Sequence, residues 1–111
     1  MAGENIGTGC IVVLVTASGA EEADKIADAL VGGKLAACVN VLPGVKSIYN
    51  WKGKRCRDEE VLLLIKSTST LFPRIRDTVQ ALHSYEIPEM IALPVRHGSK
   101  EYIHWLRESV I

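Results

Sequence analysis

The sequence lacks an excess of charge of either sign. Thirteen Lys and Arg residues balance thirteen Asp and Glu residues in a chain of 111, so the formal net charge at pH 7 is zero. Proteins that bind nucleic acids present a broad cationic surface to the phosphate backbone, and this composition does not supply one. The sequence therefore predicts no nucleic-acid partner.

Long apolar runs are missing as well. Stretches such as Ile11–Val15 and Val61–Ile65 are short, whereas a helix that crosses a membrane needs about 20 apolar residues. Residues 1–9 contain neither the apolar stretch of a signal peptide nor the character of a transit peptide. We expect a flexible segment at residues 1–9, no targeting signal and no membrane partner.

Cysteines are few, and their spacing forms no motif. The chain has an odd number of cysteines, Cys10, Cys38 and Cys56, and no two of them form a CxxC pair. This pattern is typical of reduced intracellular thiols. The hydrolase, zinc-protease and nucleotide-binding motifs GxSxG, HExxH, P-loop and GxGxxG are absent too. These absences predict a cytoplasmic protein without enzymatic activity.

Apolar residues nevertheless make up 48% of the chain, which is enough for the core of a single domain, expected at residues 10–111. Their spacing predicts strands at 11–15, 35–42, 45–51, 61–65 and 91–95. Helices are predicted from the capping box Ser18–Glu21, from the caps at 67–70 and from Ser99. This order predicts an α+β fold, a ferredoxin-like βαββαβ sandwich with a long hairpin of its second and third strands and an extra C-terminal helix.

Three pairs of neighbouring residues that contain glycine mark predicted interruptions between or within these elements. Gly32-Gly33 predicts a left-handed end to the first helix. Pro43-Gly44 predicts a bulge or bend after which the second strand resumes. Lys52-Gly53 predicts the turn of the long hairpin.

The predicted hairpin carries Val45, Ile48, Tyr49 and Trp51 beyond the Pro43-Gly44 bend. A two-stranded ribbon is marginally stable in water, so another surface should cover these residues. The terminal helix could fold over the ribbon. We favour packing between subunits, because pairing around a closed ring would also remove unpaired strand edges.

The densest group of polar functional side chains lies in His83–Glu89, between the second predicted helix and the last strand. The imidazole and carboxylates of His83, Glu86 and Glu89 could ligate a divalent metal or hold a polar ligand. Alternatively, His83 bonds the last carbonyls of the helix, which is a structural role.

Lys66 and the aromatic residues also have two interpretations each. Lys66 is either a surface lysine or the cation of an anion-binding cleft near Glu89. Trp51, Tyr85 and Trp105 could stack on a planar ligand, although aromatic residues at such spacings more often serve packing.

Four segments together resemble the CutA divalent-cation-tolerance family, in order and with the family's spacing over residues 11–108. They are Lys34–Asn40, Ser47–Gly53, Glu60–Lys66 and His83–Glu89. The resemblance implies a ferredoxin-like subunit in a tight homotrimer, with an architecture like that of the PII signalling proteins. It also implies a role in tolerance of copper and other divalent cations.

The resemblance further implies ligand clefts between subunits. Residues typical of the family near those clefts correspond here to Tyr49, Trp51, Lys66, Tyr85, Glu89 and Trp105, with His83 at the rim. Val15 and Leu82 depart from the pattern, since members with assigned copper ligands have Cys and His there. We therefore expect weak binding of copper or another divalent cation, in which His83 is assisted by Glu86, Glu89 or a neighbouring subunit.

Two hypotheses for function follow. The first is a homotrimeric divalent-cation-tolerance protein, non-enzymatic, whose inter-subunit clefts bind a metal ion or a small polar ligand. The second is a PII-like signalling or interaction scaffold that presents its clefts to another protein and binds no metal in the cell.

Overall fold

The computed structural model describes residues 7–111, within which four antiparallel strands form one sheet and three α-helices pack against it. The elements are β1 (Cys10–Ala17), α1 (Ala20–Gly32), β2 (Cys38–Trp51), β3 (Lys54–Thr68), α2 (Phe72–Leu82), β4 (Met90–Val95) and α3 (Lys100–Glu108), with a 3-10 turn at Ser69–Leu71 before α2. The sheet order β2-β3-β1-β4 is that of a ferredoxin-like fold, so the predicted fold class is confirmed.

Alternation along the two central strands builds the core. Val13 and Val15 of β1, like Leu63 and Ile65 of β3, point to the same face of the sheet and are fully buried. The helices cover this face with apolar residues at helical spacing, which are Ala23, Ile26 and Leu30 of α1 and Ile75 and Val79 of α2.

The opposite face of the sheet, called the outer face below, is also apolar. By strand register it carries Val12, Leu14, Leu42, Leu62, Leu64, Ile91 and Leu93. Leu42, Ile91 and Leu93 are exposed to solvent, and Ile91 keeps 53% of its surface exposed. A contiguous exposed apolar face of this kind is typical of a surface that packs against another molecule.

The long hairpin forms as predicted. β2 is continuous from Cys38 to Trp51, with a bulge at Pro43 and Gly44 between the pairs Leu42–Leu62 and Val45–Glu60. Lys52 and Gly53, with φ of 52° and 80°, form the two-residue turn between the strands. β3 begins at Lys54 rather than at Val61, because the charged residues before Val61 complete the ladder with β2.

Two predicted boundaries were wrong. The second strand begins at Cys38, since the amides of Leu35 and Ala36 bond to the carbonyl of Leu30 and the side chains of these two residues enter the core. The left-handed residue after α1 is Lys34, with a φ of 58°, whereas Gly33 has a φ of −87°.

The predicted capping box at Ser18–Glu21 was also wrong. Because α1 begins at Ala20 with Gly19 as its N-cap, the carboxylate that reaches back belongs to Glu22. One Glu22 oxygen accepts a hydrogen bond from the Ser18 amide at 3.1 Å, and the other accepts from the Ser84 amide at 3.0 Å. Glu22 therefore links the start of α1 to the chain that follows α2.

Helix α3 packs against β1 and β3. Leu106 is buried, whereas Tyr102 and Trp105 are exposed. Because Tyr49 and Trp51 on the ribbon are exposed too, α3 does not cover the hairpin.

Part of the predicted N-terminal segment, residues 1–6, lies outside the described residues. Thr8 is held by hydrogen bonds to the Val95 carbonyl and from the Arg107 guanidinium. No helix within residues 7–111 has the length and apolarity to cross a membrane.

We expect Glu22→Ala to lower the free energy of unfolding by about 1 kcal/mol at pH 7, which is the usual cost of losing a helix cap. Burial opposes ionisation of Glu22, but hydrogen bonds from Ser84 and Ser18 hold its pKa below the ordinary value of 4.5. The stabilisation is therefore complete above that value and is lost as the pH falls through the lower folded pKa.

Urea unfolding of wild type, Glu22→Ala and the control Glu21→Ala, measured from pH 7 down to about pH 3, tests this expectation. Glu21 lies in the same first turn of α1 and is exposed. The difference between Glu22→Ala and wild type should shrink in acid. Equal stability of the two variants at pH 7 would contradict the role given to Glu22.

Candidate functional site

A cleft of about 700 Å³ lies between the outer part of the hairpin and the loop that joins α2 to β4. Its walls are Thr16, Ser47, Ile48, Tyr49, Trp51, Asp58, Glu60 and residues Tyr85–Glu89. This volume is within the usual range of small-molecule sites, which is about 300–1,000 Å³. It is the candidate site and is called the cleft below.

The acidic wall of the cleft is formed by side chains on one face of β3. Asp58 and Glu60 are two residues apart and share one face of the strand. In the ladder with β2, Asp58 lies opposite Ser47 and Glu60 lies opposite Val45. Tyr49 is the next residue of β2 on the same face, so an aromatic ring and two carboxylates are adjacent.

Two tyrosines donate hydrogen bonds to these carboxylates. The Tyr85 hydroxyl donates to Glu60 Oε2 at 2.7 Å, and the Tyr49 hydroxyl donates to Asp58 Oδ2. The hydrogen bond to Asp58 raises the pKa of Tyr49 to about 12. Burial and the bond to Glu60 raise the pKa of Tyr85 well above its ordinary value. Both phenols are therefore protonated at neutral pH and act as donors.

Glu60 is the most buried charged residue of the cleft, with 7% of its surface exposed. Among residues 7–111 the salt bridge joins Arg76 to Asp77 and does not include Glu60. Glu60 is thus a buried carboxylate that has a tyrosine donor but no cation from the described part of the chain.

The side chain of His83 is fully buried and both ring nitrogens are engaged. Nδ1 accepts a hydrogen bond from the Tyr85 amide at 3.0 Å, so the proton is on Nε2, which donates to the Thr16 carbonyl at 2.7 Å. Glu22 Oε2 lies 3.5 Å from Nδ1. His83 therefore has a structural role, but its ring fastens the loop to the end of β1 and does not bond the last carbonyls of α2, as the structural interpretation had predicted.

The structure brings together only part of the predicted metal set. Glu86 and Glu89 line the cleft, whereas His83 does not. Within residues 7–111 there is no group of three His, Cys, Asp or Glu residues arranged to hold a metal ion. The ligand set of His83, Glu86 and Glu89 stays a prediction.

The predicted cleft residues also separate into two groups. Tyr49, Trp51 and Tyr85 line the cleft. Lys66 lies opposite Cys38 and six residues along β3 from Glu60, a distance of about 20 Å at 3.3 Å per residue. Trp105 is on α3, where its ring centroid lies 5.5 Å from that of Tyr102. Within one chain, Lys66 and Trp105 do not join the cleft.

Asp58 and Glu60 were not among the predicted site residues. Both lie on one face of β3 at the period of a strand, and the register set by the Lys52-Gly53 turn places them beside Tyr49. That pattern was a usable signal. The hydrogen bond from Tyr85 to Glu60 had no such signal in the sequence, because the two residues are 25 positions apart in the chain.

We expect Tyr85→Phe to lower the free energy of unfolding by about 1–3 kcal/mol, because a buried carboxylate loses its donor. Tyr49→Phe makes the same chemical change at the exposed Asp58 pair and should cost less. Unfolding is measured at one protein concentration, together with a double-mutant cycle through Glu60→Gln. Equal losses for the two tyrosine variants, or no coupling of Tyr85 to Glu60, would contradict this expectation.

Comparison with known proteins agrees with this fold. The model of a family described as CutA1 divalent ion tolerance protein matches residues 11–109. The divalent-cation tolerance protein CutA of Thermus thermophilus is 51% identical over 98 residues, which are 88% of this chain and 95% of that protein.

Two further comparisons concern a plant protein and a solved structure. The chloroplastic protein CutA of Arabidopsis thaliana is 46% identical over 89% of this chain, which spans about half (54%) of that longer protein. The structure of the Thermus thermophilus divalent cation tolerance protein superposes with a TM-score of 0.89 at 50% identity, over 91% of this chain and 98% of the other. With the family match over nearly the whole chain, these relatives show that the chain belongs to the CutA1 divalent ion tolerance family.

Proposed function

We propose that this protein is a homotrimeric divalent-cation-tolerance protein whose cleft, closed by a neighbouring subunit, binds a divalent cation or a small polar ligand. The observation that supports this proposal is the negative charge of the side chains that line the cleft. Asp58, Glu60, Glu86 and Glu89 line it, and none of the described residues in its walls is Lys or Arg. Carboxylate oxygens favour cations, and hard divalent ions prefer oxygen ligands.

The apolar outer face supports assembly. Exposed Leu42, Ile91 and Leu93 continue the half-buried Leu14 and Leu64 across all four strands. A single chain leaves this surface in water, and a closed oligomer would bury it. The number of subunits, three, is what the family resemblance implies.

Assembly would also account for the separation of the predicted cleft residues. Lys66 and Trp105 lie away from the cleft of their own chain. If both belong to a ligand site with Tyr49 and Trp51, they must come from a neighbouring subunit.

The ligand set proposed for a metal remains His83, Glu86 and Glu89, with weak binding of copper or another divalent cation. Coordination by His83 would break its hydrogen bond to Thr16 or to Tyr85, because both ring nitrogens are occupied. The metal must offset that loss, so the affinity should be low.

A PII-like scaffold without physiological metal binding is the second candidate. The engaged ring of His83, together with the absence of a three-ligand cluster within residues 7–111, favours it. In this case the cleft presents its loop and hairpin to another protein. Neither candidate uses catalysis.

We also propose a cytoplasmic location. Cys10, Cys38 and Cys56 are free thiols, which are typical of reducing compartments. The Arabidopsis relative is named as chloroplastic.

We expect Ile91→Lys to convert the assembled protein to monomers, because a lysine in the outer face would be buried without a partner in the trimer. Val31→Lys is the matched control, since Val31 is an exposed valine (43%) on α1 and lies away from the outer face. Sedimentation equilibrium at micromolar concentration measures both. A monomeric wild type, or an Ile91→Lys protein that stays trimeric, would contradict the proposed assembly.

We expect copper to bind weakly in a calorimetric titration of the assembled protein. Glu89→Gln should weaken binding several-fold, because Glu89 lines the cleft. Equal binding by wild type and His83→Ala would remove His83 from the ligand set. No saturable binding of copper, magnesium or manganese, together with capture of a specific protein from lysate that Glu89→Gln abolishes, would favour the scaffold.

A further inference from the structure

The walls of the cleft are aromatic as well as acidic. Tyr49, Trp51 and Tyr85 line it beside Asp58 and Glu60. A bare divalent ion needs oxygen ligands and gains little from aromatic walls. Organic ammonium ions gain from both, because the positive charge is attracted to aromatic faces and to carboxylates while the carbon chain packs on the rings.

Glu60 gives the second observation. It is more than nine-tenths buried and lines the cleft, and Oε2 accepts its hydrogen bond from Tyr85. Within the described residues no enclosed side-chain oxygen lacks a partner, and no hydrogen bond of that region reaches Oε1. Oε1 is therefore open to the cleft. A buried carboxylate without a cation is costly, which favours a positively charged occupant.

The hydrogen-bonding character of the cleft agrees with such an occupant. The hydroxyl protons of Tyr49 and Tyr85 are already donated to Asp58 and Glu60. The acidic wall thus presents free acceptor oxygens, and an ammonium group supplies N–H donors. The volume of about 700 Å³ exceeds what a hydrated metal ion fills and suits a molecule of several carbon atoms.

We propose that the cleft binds an organic ammonium ion, with its charged nitrogen at Glu60 and its carbon chain against Tyr49 and Trp51. This inference rests on the proposed function of the cleft as a cation site and names the class of ligand. The competing occupant is a basic side chain of a neighbouring subunit, above all the Lys66 that the proposed assembly would bring to this site, which would neutralise Glu60 permanently.

The probe is putrescine, a four-carbon diammonium ion, and its neutral counterpart is 1,4-butanediol. Both are titrated into the assembled wild-type protein at one salt concentration, with tryptophan fluorescence and calorimetry as readouts. Putrescine should bind saturably and at least about tenfold more tightly than the diol, a difference of about 1.4 kcal/mol. Added sodium chloride should weaken its binding.

Glu60→Gln should reduce putrescine affinity about tenfold or more, whereas Glu59→Gln should not change it. Glu59 is the neighbouring residue of β3, is exposed and does not line the cleft. Trp51→Leu, at a position that is exposed in the single chain, should also weaken putrescine binding, and sedimentation equilibrium establishes that the variant compared is the trimer.

Equal affinities of putrescine and the diol, or wild-type affinity in Glu60→Gln, would overturn the inference. Absence of putrescine binding in a trimer that still binds a divalent metal would also overturn it, in favour of the neighbour's basic side chain, and would leave the proposed function standing. Loss of both ligands in an intact trimer would reject the cation site itself.

Discussion

The two-residue period of β3 is the constraint on which the rest of the structure depends. Residues Val61, Leu63 and Ile65 of this strand enter the core beneath α1 and α2, while Leu62 and Leu64 lie between them on the outer face. Farther along the same outer face are Glu60 and Asp58, which form the acidic wall of the cleft. One strand therefore supplies the folding core, the apolar surface and the chemistry of the site, and its position between β1 and β2 fixes all three in relation to one another.

Residues Tyr85–Glu89 of the α2–β4 loop form the second wall of the cleft, and polar bonds hold the beginning of this loop. His83 is bonded to the carbonyl at the end of β1, and Ser84 is bonded to Glu22 at the start of α1. Tyr85 then reaches across to Glu60. Three different elements thus position a segment that has no regular secondary structure of its own, which keeps its aromatic ring in place before any ligand arrives.

Much of the fold was predictable from the sequence because local patterns determined it. The strand at the apolar run Ile11–Val15, the turn at Lys52-Gly53 and the bulge at Pro43-Gly44 all occur as their residues indicate. Boundaries were less predictable. Leu35 and Ala36 belong to an apolar run that is typical of a strand, yet both amides donate hydrogen bonds to the carbonyl of Leu30. No local sequence pattern indicates that these bonds replace the pairing with a neighbouring strand.

The site was predictable in its loop and aromatic residues but not in its electrostatics. Tyr49, Trp51, Tyr85, Glu86 and Glu89 line one cleft, and their roles in binding a ligand or a metal stay predictions. The bond of His83 Nε2 to the Thr16 carbonyl and the bond of Tyr85 to Glu60 join residues that are 67 and 25 positions apart in the chain. Such contacts depend on how the α2–β4 loop packs over the sheet. The spacing of apolar residues along the sequence does not determine that packing.

The bulge at Pro43 and Gly44 has a further consequence for the aromatic wall. Before it, the even-numbered residues Cys38 and Leu42 share a face with the even-numbered residues of β3, and after it the odd-numbered Tyr49 and Trp51 do. A hairpin of the same length with unbroken pairing would turn both rings away from the two acids. The one extra residue of the bulge therefore determines which face of β2 carries Tyr49 and Trp51. Because of it, the two rings and the two acids line one cleft, whereas without it they would belong to two separate surfaces.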